Sequence, residues 1–184
     1  MSLKTDSAKI WLDLGYKLFS EEGHEGLQVE RLSRILGRNK SAFYHFFGDK
    51  ETYLEKLMEI HLKKEEVLAS KLIKLKDFNP GFLSLMIENK EEIMFQTHLV
   101  KNRDLKLFLD TYFEVNQKIE KIVTQIWGEF IGVSPEVASK YWRLIRDSFY
   151  ARITSKSFNE DWLSTFVEEA KTILVEVQKD GGPK

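Results

Sequence analysis

The chain has 184 residues, with 28 Lys and Arg against 29 Asp and Glu, no cysteine, and a hydrophobic fraction of 42%. That length suits one compact domain or a small head joined to a larger body, and the aromatic content is ample for a packed core. The absence of cysteine excludes disulfides and thiolate metal sites, and the near-neutral charge leaves any nucleic-acid argument to local patches. No apolar run approaches the roughly 20 residues a membrane span needs, and no signal-peptide pattern opens the chain. The expectation is a cytoplasmic protein with no membrane partner.

Apolar residues recur at helical spacing almost throughout, and only three prolines occur, so the chain reads as about nine helices and no strands. The first helix is expected from about Asp6 to Glu22, with Ile10, Trp11, Leu14, Leu18 and Phe19 as its inner stripe. A second carries Val29, Leu32, Ile35 and Leu36 inward and stops at Gly37, suited to the left-handed position past a helix end. Asn39 can cap a third through about Phe47, which Gly48 closes. Asp49 then caps a long fourth helix carrying Tyr53, Leu57, His61 and Leu68.

Asn79-Pro80 reads as a fresh helix start, with a break near Asn89 and an end near Leu99. Asp104 to Ile131 reads as one long helix ending at Gly132. Ser134-Pro135-Glu136 opens the next, and Ser157 with Glu160 has the spacing of a capping box for the last. Residues 181–184 are expected to be a disordered tail.

The densest chemistry lies between Val29 and Glu51. Arg31, Arg34, Arg38 and Lys40 fall there with no Asp or Glu between Arg31 and Phe47. On a wheel at ~100° per residue, Phe43, Phe46, Phe47 and Ala42 gather on one side of the third helix and Lys40, Ser41, Tyr44 and His45 on the other. A helix this short must pack its Phe face on its neighbours. The opposite face then offers an ammonium, a hydroxyl, a phenol and an imidazole, groups that bond phosphate oxygens and base edges in a major groove. A merely solvated polar face satisfies the same pattern.

Residues 10–54 resemble the DNA-binding head of the tetracycline-repressor (TetR) family. The resemblance rests on Leu18-Phe19, Gly23, Leu32, Gly37, Lys40, Phe43-Tyr44, Phe47 and Lys50-Glu51 in the family's order and spacing. It implies an all-α protein: a three-helix helix-turn-helix head over residues 1–48, and a helical effector-binding and dimerisation body over residues 49–180. By that resemblance Tyr44 and Lys50 are phosphate contacts, Lys40, Ser41, Ala42 and His45 face the bases, and Gln28, Arg38 and Asn39 flank the backbone. Gln28 stands where the family usually has Thr, Ala42 where Thr is frequent, Arg38 where Val is common, and Ser33 where a small Ala is usual. These departures bear on the operator sequence.

The last two helices are apolar over more than one buried face. Tyr141, Trp142, Ile145, Phe149, Trp162, Phe166 and Ile173 suit either a filled monomer core or a seam with a second copy, and the resemblance implies the homodimer. Met86, Met94, Phe95, His98, Phe108, Tyr112 and Asn116 suit plain core, and the resemblance implies an unidentified small-molecule effector at this level, with His98, Tyr112 and Asn116 as anchors. The fourth helix would link that level to the head.

No catalytic constellation, cofactor motif or phosphate loop occurs. His61 and Glu65, four apart, are too few for a metal site and read as a surface pair. The expected function is a ligand-responsive repressor binding double-stranded DNA at a palindromic operator, neither enzyme nor metalloprotein. An all-helical small-molecule carrier or a protein-interaction module without DNA binding remains the alternative.

Overall fold

The computed structural model describes residues 2–180, with side chains from Ser7 to Val177. The expected tail 181–184 lies outside the described residues. Nine α-helices and no strand occur among the described residues: α1 Ser2–Glu22, α2 Val29–Leu36, α3 Lys40–Phe47, α4 Lys50–Leu72, α5 Leu83–Glu88, α6 Lys90–Lys101, α7 Lys106–Ile131, α8 Pro135–Arg152 and α9 Glu160–Asp180. None is long and apolar enough to cross a membrane. The expected all-α class and helix count stand.

The local punctuation is what residue chemistry demands. Gly37 closes α2 at φ 61°, the left-handed region an L side chain resists, and its N–H bonds back to the last turn. Asp49 accepts the Thr52 N–H at 2.7 Å and so caps α4. Asn89 breaks α5 from α6, its side-chain amide donating to the Leu85 carbonyl. Pro135 sits in the first turn of α8 as its missing donor allows.

Four details differ from the sequence expectation. Helix α1 begins at Ser2, ahead of Asp6. The turn at Asn79-Pro80 is organised by Asp77, whose carboxylate accepts from the Gly81 N–H at 2.7 Å, while Asn79 stays extended; the helix proper starts only at Leu83. Helix α9 is capped by Asn159, which accepts from Trp162 N at 2.9 Å, because Ser157 is engaged with Thr154 in the preceding turn. Ile35, expected to face inward, is half exposed, since the neighbours of α2 cover only the Val29–Leu32–Ser33 side.

Packing divides the chain into two compact units, and not at Gly48. The first comprises the residues up to Leu68 together with Glu91–Asn116; the second comprises Ala69–Lys90 and the residues from Gln117 on. In the first unit Phe95 of α6 stacks on Phe19 and Tyr16 of α1, with centroids 4.1 and 4.5 Å apart, and Phe108 of α7 meets Phe19 edge-on at 5.4 Å. Helix α6 therefore packs directly on the first helix.

In the second unit Phe78 and Phe82 close on Trp127 and Trp142, and Phe149 is ringed by Phe158, Trp162 and Phe166. Tyr141 of α8 donates to the Ala170 carbonyl of α9 at 2.6 Å, tying those two helices together.

The tightest fit in the first unit is at Gly15. A Cβ there would lie 1.7 Å from the Tyr53 hydroxyl, which itself donates to the Trp11 carbonyl at 2.7 Å. Gly15→Ala is expected to cost about 1–3 kcal/mol of overpacking. In urea denaturation, the double variant Gly15→Ala/Tyr53→Leu should lose less than the sum of the two single losses.

Candidate nucleic-acid interface

Helix α3 has eight residues, too few to hold itself together in water. Its support is aromatic. Phe43 is wholly buried, meeting Trp11 of α1 edge-on at 5.5 Å and Tyr53 of α4 at 4.9 Å. Phe47 adds a second contact to Tyr53 at 4.8 Å, while Phe46 is only half-buried. The N-terminus is fixed by Asn39, whose side-chain oxygen accepts from the Ala42 N–H at 2.9 Å and from the Ser41 hydroxyl at 2.8 Å. At the other end the Gly48 N–H donates to the Tyr44 carbonyl, with Gly48 at φ 76°.

With that face buried, the opposite one is presented as the wheel required. Lys40, Ser41, Tyr44 and His45 are exposed, Tyr44 at 50%, and Ala42 is half-buried beside them. Gln28, at the cap position of α2, and Arg38 and Asn39, in the turn, are exposed too. Lys50 is the first residue of α4 and exposed, where free backbone amides favour an anion. The structure thus leaves eight of the nine expected contact residues exposed, and it gives Asn39 a second duty as a cap.

The local charge is more restrained than the bare sequence suggests. Arg31 is paired with Glu22 at the end of α1, and Lys40 donates to Glu30 at 2.9 Å. The Lys40 bond holds the Glu30 carboxyl below its ordinary range and lifts the Lys40 ammonium. Among the described residues, no ion pair engages Arg34, Arg38 or Lys50. Ser33, standing where a small Ala is usual, is buried with an unpartnered hydroxyl.

The sequence matches the family of bacterial regulatory proteins, tetR family, over residues 12–57. Over those residues the chain is TetR-like. The head runs from within α1, through the buried Phe43, into the first turns of α4. Two curated relatives are HTH-type transcriptional repressors named AcnR. The one from Corynebacterium glutamicum is 40% identical over 47 residues, 26% of this chain and 25% of its own. The one from Corynebacterium efficiens is 46% identical over 35 residues, 19% of each chain. The chain thus spans a quarter or less of the curated relatives it matches.

Over the full length, the fold is that of a Mesorhizobium loti crystal structure whose name classes it as a TetR-family transcriptional regulator. The TM-score is 0.62 at 12% identity, covering 96% of this TetR-like chain and 98% of the other.

The remaining candidate residues fall as follows. Met94, Phe95, Phe108, Tyr112 and Asn116 are buried in the first unit and His98 is half-buried there, whereas Met86 belongs to the second unit. Asn116 spends its side-chain N–H on the Tyr112 carbonyl one turn earlier. His98 lies against the end of α1, its ring edge-on to Phe19 at 6.2 Å, and burial lowers its pKa. On α8 and α9, Trp142, Phe149 and Phe166 are buried, Tyr141, Ile145 and Trp162 are partly covered, and Ile173 is half exposed. Leu144, Val137 and Val177 are also exposed, and only burial separates them from the core positions beside them.

His61 and Glu65 are not a surface pair. Both are buried, because α6 covers this side of α4 and presents Gln96 to the imidazole. No group of three or more metal-ligating side chains occurs among the described residues.

Phe43→Ala should cost about 3–5 kcal/mol. Because Phe43 is the ring that joins α3 to both α1 and α4, amide exchange over 40–47 should rise more than over α1.

Proposed function

We propose that this chain is a sequence-specific DNA-binding transcriptional regulator, acting as a homodimer on a palindromic operator and repressing until a small molecule releases it. The observation that carries the reading is the two-faced α3 within the tetR-family match. Its Phe43 face is keyed into the head, while Lys40, Ser41, Tyr44 and His45 stand together in solvent. Eight residues of helix span about 12 Å, a length the major groove of B-form DNA accepts. Tyr44 and Lys50 hold phosphates on either side of the groove. Lys40, Ser41, Ala42 and His45 meet base edges, and Gln28, Arg38 and Asn39 lie along the backbone. Nothing in this arrangement assembles a nucleophile and base, and the chain acts by binding.

The dimer reading is supported by Val137 and Leu144 on α8, one heptad apart and both exposed, with Ile173 and Val177 exposed at helical spacing on α9. Two such pairs make the self-complementary patch of a two-fold seam. Release by an effector is supported by the stacking of Phe95 on Phe19. A ligand among Met94, Phe95, His98, Phe108, Tyr112 and Asn116 would press on α1 itself, not only on α4.

Binding to DNA upstream of the coding region, followed by fluorescence anisotropy, tests the reading. Tyr44→Ala and Lys50→Ala should each weaken every duplex by roughly tenfold, and affinity should fall steeply with salt. Lys40→Ala should in addition narrow the gap between specific and scrambled duplexes. Affinity indifferent to all three changes would exclude α3 as the reading helix. In sedimentation, Leu144→Glu should shift the chain toward monomer and lower operator affinity, whereas a wild-type chain already monomeric at micromolar concentration removes the dimer.

A further inference from the structure

Three helices of the first unit meet around buried polar groups that DNA reading does not use. His61 of α4 is wholly buried: its Nδ1 lies 2.8 Å from the Tyr16 hydroxyl of α1, and its Nε2 lies 3.1 Å from Gln96 Oε1 of α6. Glu65, one turn on and 5% exposed, has an oxygen 3.7 Å from the same Nε2, too far for a hydrogen bond. The Phe95 ring covers the cluster, stacked on His61 at 4.3 Å and on Tyr16 at 4.5 Å. Glu65 Oε1 and Gln96 Nε2 are buried with no hydrogen-bond partner.

The charges facing this cluster come from two helices. From α4, Lys64 lies 4.2 Å from the centroid of the Tyr16 ring, and it is already held by Glu91 at 3.0 Å and Glu92 at 2.7 Å from α6. From α1 the cluster receives the Tyr16 phenol, which burial keeps protonated. An ionised Glu65 here would be a buried anion without a donor, facing Glu92, while its nearest cation serves two other carboxylates. Such a group stays neutral.

We propose that this cluster is a proton-operated latch: α6 stays seated on α1 and α4 while Glu65 holds a proton and His61 holds none on its second nitrogen, and either ionisation releases it.

Burial, with Glu92 adding, pushes the Glu65 carboxyl from an ordinary 4.5 up to about 8, against the pull of Lys64. Burial, with Lys64 adding, takes the His61 imidazole from 6.5 down to about 3, against its bond to Gln96. The sign follows from proton counting. Above pH 4.5 an opened Glu65 gives up a proton that the seated one keeps, so opening becomes easier with rising pH until about 8. Below pH 6.5 an opened His61 takes up a proton that the seated one refuses, so opening becomes easier with falling pH. Between 4.5 and 6.5 the two cancel, and the latch is tightest there.

Helix α1 backs α3 through Trp11, and α4 begins with Lys50, so a released α6 leaves both supports of the DNA face less constrained. That output rests on the DNA-binding reading; the latch does not.

Hydrogen exchange of the full-length chain and of Glu65→Gln, corrected for intrinsic rates between pH 5.5 and 9, tests it. In wild type, α6 opening should be nearly level up to pH 6 and then rise, by roughly tenfold in all between pH 6 and 8. Glu65→Gln should remove that rise. Opening that ignores pH, or rises equally in Glu65→Gln, overturns the latch. Should Glu65→Gln fail to fold, a carboxyl-carbon NMR titration of wild-type Glu65 decides: a midpoint well above 4.5 supports the latch and an ordinary one overturns it. Parallel anisotropy with upstream DNA separates the two claims, since α6 opening on schedule without binding to any duplex sustains the latch and removes the DNA reading.

Discussion

An eight-residue helix has no stability of its own, so whatever the head displays depends on the seating of the Phe43 ring between Trp11 and Tyr53. That contact sets the rotation of α3 about its axis. Because side chains advance by ~100° per residue, a rotation that freed Phe43 would carry Lys40, Tyr44 and His45 off the outward face together. The polar face is therefore a by-product of burial. Its chemistry is chosen by the exposed residues, while its direction is chosen by three buried rings.

Charge is handled with similar economy. Two of the four cations between Arg31 and Lys40 are answered within the head, Arg31 by Glu22 and Lys40 by Glu30. On the proposed DNA partner, Lys40 exchanges a carboxylate for a base edge or a phosphate and does not arrive as a bare charge. Exposed pairs of this kind are worth little in themselves, so the exchange costs little. Its effect is to moderate indiscriminate attraction and to leave Arg34, Arg38 and Lys50 as the sources of long-range pull.

The elements that could be read from sequence are those whose cause is local. Gly37 needs a positive φ, Asn39 and Asp49 reach donors three residues ahead, and the Phe face of α3 follows from its period. Where two cap signals crowd together, local reading chose the wrong one, at Asn79 over Asp77 and at Ser157 over Asn159. Non-local facts were not legible. Whether His61 and Glu65 meet water depends on α6, some thirty residues later, and the pattern of α4 is the same either way. The carboxylates that answer Arg31 and Lys40 lie nine and ten residues upstream. Of the candidate interface, the identity of the exposed groups was readable and their ion pairing was not. Likewise, α8 and α9 announced excess apolar surface, but only packing shows Leu144 and Val177 left out of the core.

The overlap at Gly15 has a different kind of consequence. The space a β-carbon would need there is filled by the phenol of Tyr53, and the same hydroxyl is anchored on the Trp11 carbonyl. Neither position is free to drift alone over evolutionary time. A lineage that gains a side chain at position 15 strains against the ring at 53, one wall of the Phe43 seat, until that ring is given up. Substitutions at the two sites should therefore travel as a pair through descendants of this head, with glycine at 15 the favoured companion of tyrosine at 53.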